Sequence, residues 1–384
     1  MNRLSRMMQK TKIGGLTAAG VAYIMCLRDV RTFTHREEME NKKMANAKRT
    51  TIKDVASVAG VSVATVSRFL NESGYVDDST KEAIRKAIEQ TNYRVNKNAK
   101  FLKTRRSNQL MLMVPDIENP YYAEMFKTLQ KLAAQKGYSV LLYDSNADTR
   151  MELAGLDLME DLGADGLIYC STESAQEVQD RLMQLQKPIV VSQRLDGLHF
   201  DTLHSIGGRG IYLAARHLID LGHRRIAYVG GPEGSPVNRR RRNGLLMALE
   251  ENGLTLPRDL CFEMDFTMDA GYKAGMYIAS LTSLPTAICA ANDMIAMGVM
   301  QALQERGLRV PADISITGED NIGFARICRP GLTTINNSGS EFSRRAADLL
   351  FDRIDGRYDG PPRDVVCPRE LVVRESTRAI THDL

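Results

Sequence analysis

The run Val63-Ala64-Thr65-Val66-Ser67-Arg68 is helix-compatible but holds only one long side chain, a combination suited to reading nucleic acid. Val63 and Ala64 are small enough to let a backbone approach base edges, and both can touch thymine methyl groups. Thr65, Ser67 and Asn71 carry hydroxyl or amide groups that can hold phosphates. Arg68 can reach a guanine through two parallel hydrogen bonds. Catalytic chemistry has no comparable grouping. The chain contains no G-x-S-x-G, P-loop or H-E-x-x-H element, and Gly230-Gly231-Pro232-Glu233-Gly234 lacks the Rossmann glycine spacing. No pair of carboxylates is singled out for acid–base work. We therefore expect neither catalytic residues nor a cofactor.

Three short helices would position these side chains. Thr51-x-x-Asp54 resembles a capping box, and Ile52, Val55, Ala56 and Ala59 follow as an apolar helical face. Gly60 supplies a turn, and Ser62 caps a second helix whose Val66, Phe69 and Leu70 face inward. A third helix opens at Ser79-x-x-Glu82, with Ala83, Ile84, Ala87 and Ile88 as its buried stripe. This is the helix-turn-helix plan, in which the second helix enters the major groove. A helical hairpin with a glycine turn also occurs in plain bundles, so the pattern alone leaves both readings open.

The charge distribution favours the nucleic-acid reading. Of 384 residues, the first 47 hold nine Lys/Arg against four Asp/Glu, residues 48–107 thirteen against six, and residues 108–384 twenty-nine against thirty-seven. A basic front on a mildly acidic body suits contact with a polyanion, although a solvated basic face would look the same. Cys26, Cys170, Cys261, Cys289, Cys328 and Cys367 are scattered without a C-x-x-C pair, as in a reducing cytoplasm. The histidine pairs His199/His204 and His217/His223 have no metal spacing, and no metal site is expected. Residues 1–43 join four basic residues to an uncharged stretch, Ile13 to Leu27, which imitates a signal peptide and is short for a membrane span. Met44 is a natural start just ahead of the first helix, and we read residues 1–47 as a dispensable or mis-assigned extension, disordered if translated.

Behind the basic segment, strand-like and helix-like runs alternate. Strands are expected at 109–114, 138–144, 165–170 and 188–192, then at 225–230, 286–290 and 314–318, with helices between. Such alternation means parallel sheets covered by helices on both faces, here in two α/β lobes.

The run from Thr50 through Asn96, followed by the basic connector, resembles the DNA-binding domain of the lactose-repressor (LacI/GalR) family of bacterial transcription regulators, and the similarity extends to Ile380. The fold implied is an N-terminal three-helix helix-turn-helix domain (48–95) and a hinge helix (96–107). A two-lobed, doubly wound, periplasmic-binding-protein-like domain (108–384) follows, with three crossovers between its lobes. Lobe 1 would comprise about 108–206 and 337–366, lobe 2 about 207–336 and 367–384. In the family the connector becomes a hinge helix on operator DNA and a leucine wedges into the minor groove. The matching residue is Leu102, with Asn96, Ala99 and Lys100 on the same helix. Unstacking one base step costs a few kcal/mol and is offset by the contacts that bent DNA allows. Off DNA the same segment suits a flexible linker. Val95 departs from the family's usual proline. Thr51, Ser62 and Tyr93 complete the implied DNA contacts.

The resemblance also implies an effector cleft where strand C-termini converge. Tyr121 and Tyr122 stand at a helix start where family members stack on or bond the effector, although tyrosines packed under a loop would read alike. Arg241, three residues before Gly244, matches the effector-binding arginine, whose guanidinium can fork to vicinal hydroxyls or a carboxylate. Its neighbours Arg239, Arg240 and Arg242 are expected in solvent. Asn292 and Asp293 match a cleft element, and Asp320 matches an aspartate that accepts hydrogen bonds from ligand. Glu319 replaces the usual aromatic residue, and Ile206-Gly207 replaces a frequent Asp-Asn pair. Asp265-Phe266-Thr267 resembles the nucleoside-responsive branch.

The expectation is therefore a cytoplasmic homodimer that binds double-stranded operator DNA and responds to a sugar, nucleoside or related metabolite, with no membrane partner. A solute-binding receptor with an N-terminal signal is the alternative. It would match the body but has no use for residues 50–108.

Overall fold

The computed structural model describes residues 50–71, 73–93, 106–172, 175–193, 200–206 and 208–380, with only the backbone of Asn71. The chain divides into two units at Asn96/Lys97. In the first, α1 (Ile52–Ala59), α2 (Val63–Asn71) and α3 (Asp78–Thr91) close on a small core of Val55, Ala56, Val66, Ile84 and Ala87. Helix α1 begins because the Asp54 carboxylate accepts from the backbone N–H of Thr51 at 2.7 Å and from its hydroxyl at 2.8 Å. It ends at Gly60, whose φ of 68° lies in the left-handed region open to glycine. The Ser62 hydroxyl oxygen then caps α2 by accepting from the Thr65 N–H at 3.1 Å. Helix α3 starts one residue ahead of the expected Ser79. Asp77 takes the cap, accepting from the Thr80 N–H at 3.0 Å and from the Ser79 hydroxyl.

The second unit holds two six-stranded sheets. Lobe 1 orders its strands β11-β5-β4-β3-β1-β2, all parallel. These are β1 (Gln109–Val114), β2 (Ser139–Asp144), β3 (Gly166–Tyr169), β4 (Ile189–Val191), β5 (Asp201–His204) and β11 (Asp364–Val366). Lobe 2 orders its strands β12-β10-β9-β8-β6-β7, parallel except for β12. These are β6 (Ile226–Gly230), β7 (Cys261–Glu263), β8 (Ala287–Ala290), β9 (Ser315–Asp320), β10 (Thr333–Asn336) and β12 (Glu370–Val372). The chain changes sheet after β5, after β10 and after β11, which makes three crossovers.

Helices cover both faces of the lobe 1 sheet. Leu110, Leu112 and Val114 of β1 pack against α4 (Pro120–Gln135) and α12 (Gly339–Ile354). Met111 and Met113 point the other way, onto α5 (Thr149–Asp161) and α6 (Gln176–Gln184). Burial on both faces is why β1 is a continuous apolar run with no polar alternation. In lobe 2, α7 (Arg209–Asp220), α8 (Pro236–Glu250), α9 (Met268–Ile278) and α10 (Asp293–Glu305) surround one core, and α11 (Gly323–Ile327) follows β9. Helices α9 and α10 touch almost backbone to backbone: a Cβ on Gly298 would lie 2.0 Å from the Met268 carbonyl oxygen. The start of α10 follows β8 directly and lies close against β9, where a Cβ on Gly318 would stand 3.3 Å from the Asp293 Cα.

Candidate functional site

On α2, Val66 is buried in the core while Ser62, Val63, Ala64 and Arg68 face water, Val63 with 40% of its surface exposed. Thr65 and Ser67 are half-buried at the edge of that face. Ala64 and Arg68, like Val63 and Ser67, are four residues apart and so share a helix side. Thr51 is exposed but held by Asp54. Tyr93 packs half-buried against the small core. Asn96, Ala99, Lys100 and Leu102, the connector 96–105 and the extension 1–47 lie outside the described residues.

In the second unit a cleft of about 990 Å³ opens between the lobes, lined by the carboxyl ends of strands from both sheets. Helix α4 supplies Tyr121 and Tyr122 from its first turn, their rings edge-on at 5.2 Å. Burial raises both phenol pKa values, so each stays a neutral hydroxyl. Asn119 caps the helix, accepting from the Tyr121 N–H at 3.0 Å, and its amide reaches toward Asp320 at 3.4 Å.

Arg241 projects from α8 over the ring of Phe266, 5.5 Å from its centre. Its Nη2 lies 3.6 Å from both Glu319 Oε1 and Asp320 Oδ1, the distance of an ion pair and beyond hydrogen-bond length. Burial opposes its charge, but the two carboxylates outweigh that and raise its pKa further. The neighbouring arginines correct the expectation of a solvated cluster. Arg239 is exposed, but Arg240 donates to Gln193 at 2.5 Å and Arg242 to Glu263 at 2.8 Å. At about 100° per residue, consecutive arginines on a helix meet different neighbours.

Asn292 lines the cleft but uses both ends of its amide internally. Its oxygen accepts from the Ile295 N–H at 2.8 Å and its nitrogen donates to the Phe266 carbonyl at 3.0 Å. It therefore holds α10 and Phe266 in place. Asp293 lies behind it, fully buried, accepting from the Thr334 hydroxyl and the Ile322 N–H. Burial, then repulsion from Asp320, pushes its carboxyl up to about 7. Asp320 has a φ of 126°, a conformation that side chains rarely adopt and that clusters at functional sites. It accepts from Asn119 and Asn337, each at 3.4 Å, and burial lifts its carboxyl to about 6 despite Arg241.

Sequence reading missed three contributors. Asn119 follows β1 as the cap of α4, Asn337 lies on the second crossover, and Arg369 lies on the third, 3.8 Å from Glu319. Asn119 before Pro120 carries the local mark of a helix cap but none of a cleft residue, and only the crossovers bring Asn337 and Arg369 to the cleft. Ile206 lines the cavity, and Gly207 lies outside the described residues. Among the described residues no cluster of His, Cys, Asp or Glu is placed to hold a metal, and all five described cysteines are free thiols.

Comparison with known proteins agrees with this geometry. The profile of bacterial regulatory proteins of the lacI family matches residues 51–96, and that of a periplasmic binding protein-like domain matches residues 215–377. The HTH-type transcriptional repressor PurR of Haemophilus influenzae (strain PittEE) is 34% identical over 334 residues, covering 86% of this chain and 99% of that protein. PurR of Pasteurella multocida (strain Pm70) is 34% identical over 331 residues, with the same coverage. A crystal structure of the lac repressor dimer bound to operator and the anti-inducer ONPF superposes with a TM-score of 0.76. It is 26% identical and covers 86% of this chain and all of that one. The transcriptional regulator CelR in complex with cellobiose superposes with a TM-score of 0.64 at 28% identity, covering 85% of this chain and all of that one. The match at 51–96 sets aside the solute-receptor alternative. With a helix-turn-helix unit ahead of a two-lobed cleft, and relatives matched over nearly their whole length, this chain belongs to the lacI family of bacterial regulatory proteins.

Proposed function

We propose that the protein is a ligand-responsive transcriptional repressor that binds operator DNA as a homodimer. The observation that carries this reading is the water-facing side of α2, where an apolar valine in the first turn and one arginine in the last stand exposed while Val66 between them is core. Val63 and Ala64 meet thymine methyl groups, Arg68 reads a guanine, and Ser62, Thr65, Ser67 and Asn71 hold phosphates. Thr51 and Tyr93 flank that contact, and Leu102, with Asn96, Ala99 and Lys100, inserts from the hinge segment into the minor groove. Two copies related by a two-fold axis meet a near-palindromic site.

The effector is a sugar, nucleoside or related small metabolite. It is held by Arg241 and Asp320 and covered by Tyr121 and Tyr122, while Asn292 at the cleft wall keeps Phe266 in place beside it. Its binding shifts one lobe against the other and so alters the paired hinge segments. The names of the relatives support this, since PurR is a repressor and the CelR structure is a complex with cellobiose. Such a protein works in the cytoplasm, where the chromosome is. Among the described residues no helix is long and apolar enough to cross a membrane.

Selection of bound duplexes from a random pool, repeated across salt concentrations, tests the reading. The expected product is a near-palindrome whose affinity falls steeply with salt. A pool that emerges without sequence preference would reject the repressor reading.

A further inference from the structure

Glu319 has no role in the site as proposed above, yet its carboxylate, with a side chain only 5% exposed, lines the cleft. Its Oε1 is 3.6 Å from Arg241 Nη2 and 3.8 Å from Arg369 Nε, and among the described residues its Oε2 has no hydrogen-bond partner. The carboxylate occupies a space left by Gly210: a Cβ built there would stand 2.5 Å from Oε2 and 3.0 Å from Oε1. Gly210 belongs to the first turn of α7, a 12-residue helix whose cap, Gly208, offers no side chain to the first-turn N–H groups. Two buried guanidinium groups beside the positive end of a helix would ordinarily make an anion site.

We infer that Glu319 is a built-in counter-anion that fills an anion site formed by Arg241, Arg369 and the first turn of α7. The cleft consequently accepts hydroxyl- or amine-bearing ligands without an anionic group and rejects phosphorylated or carboxylated ones. The inference rests on the cleft being the effector site, as proposed above.

Charge balance gives the reason. Arg241 and Arg369 face Glu319 and Asp320, two cations against two anions. Arg240, the third cation at the cleft, donates to Gln193, whereas Asp116, Glu118, Asp144 and Asp265 add only negative charge to the lining. An incoming phosphate meets no net positive field and must dislodge Glu319 from its place against Gly210. A hydroxyl avoids both penalties, accepting from Arg241 and donating to Asp320. The residue that sets this preference replaces an aromatic side chain, which would leave both arginines without that counter-charge.

The test uses the full-length protein, its thermal unfolding followed against sodium phosphate at constant ionic strength made up with chloride. Glu319→Gln keeps the shape and removes the charge. Glu319→Ala removes the carboxylate and leaves its place beside Gly210 open, so either variant suffices if the other does not fold. Each is expected to bind phosphate about tenfold or more tightly than the unaltered protein. An equal phosphate response in the unaltered protein and the variants would overturn the inference. So would a preference of the unaltered protein for ribose 5-phosphate over ribose, where the reverse is expected. Failure of the repressor reading would appear elsewhere, as loss of duplex selectivity with these phosphate results unchanged.

Discussion

In the helix-turn-helix unit Ser62, Val63, Ala64 and Arg68 stand in water, whereas in the cleft the residues assigned to the effector are packed among one another. Arg68 is exposed; Arg241 is stacked on Phe266 between two carboxylates. An exposed side chain contributes little to folding, so a reading face can change its sequence preference without consequence for the fold. A buried charge lends itself to no such separation. Each cleft residue is held by others, and removing one leaves its partners desolvated and unpaired. The two regions should therefore respond to mutation in opposite ways, binding without stability in one and both together in the other.

The largest effect should come from pH. In the folded protein the Asp293 carboxyl holds its proton up to about 7, while in the unfolded chain it releases it near 3.8. Its contribution to stability is therefore complete at low pH and is lost as pH rises from about 4 to about 7. The expected loss is about 4 kcal/mol. Asp320, raised to about 6, acts in the same direction. Urea midpoints between pH 4.5 and 7.5 should show the slope, and Asp293→Asn should flatten it. An unchanged slope would mean that this buried carboxyl is not the group responsible.

Next in size, Arg241→Met should lower stability by about 3 kcal/mol, read as a shift in urea midpoint, because Glu319 and Asp320 lose their shared counter-charge. Arg68→Ala should leave that midpoint within about 0.5 kcal/mol. Its effect belongs to DNA, with about 1–3 kcal/mol lost on the selected operator and little on random duplex. If Arg68→Ala unfolded the protein as readily as Arg241→Met, the contrast between the regions would collapse. The smallest effect sharpens it. Gly60→Ala meets no atom within 4 Å, so its cost is only that of holding a Cβ at a φ of 68°. About 1 kcal/mol is expected, measured by thermal unfolding of the full chain.

Legibility in the sequence followed burial and length. β1, β3, β6 and β8 stood out because strands covered on both faces are apolar runs bounded by polar residues. β5, β7, β11 and β12 did not, since Asp201-Thr202-Leu203-His204 or Asp364-Val365-Val366 is too short and mixed to differ from loop. The row Asn238-Arg239-Arg240-Arg241-Arg242-Asn243 held four similar charges, and the resemblance singled out only Arg241, whereas both Arg240 and Arg241 line the cleft. That depends on how α8 packs on α7 and β6.

Residue order alone determined the small three-helix unit, with its caps, glycine turn and reading face, because every contact that shapes it spans a few dozen residues. It also determined that the body would be two lobes of helix-covered parallel strands, because hydrophobic periodicity is local. The cleft was decided only by tertiary structure. Asn119, Arg241, Glu319–Asp320, Asn337 and Arg369 come from separate parts of the chain, and the packing of the lobes together with the crossovers brings them to one cleft. Electrostatic balance at such a place is a property of distances, and distances between remote residues exist only once the chain has folded.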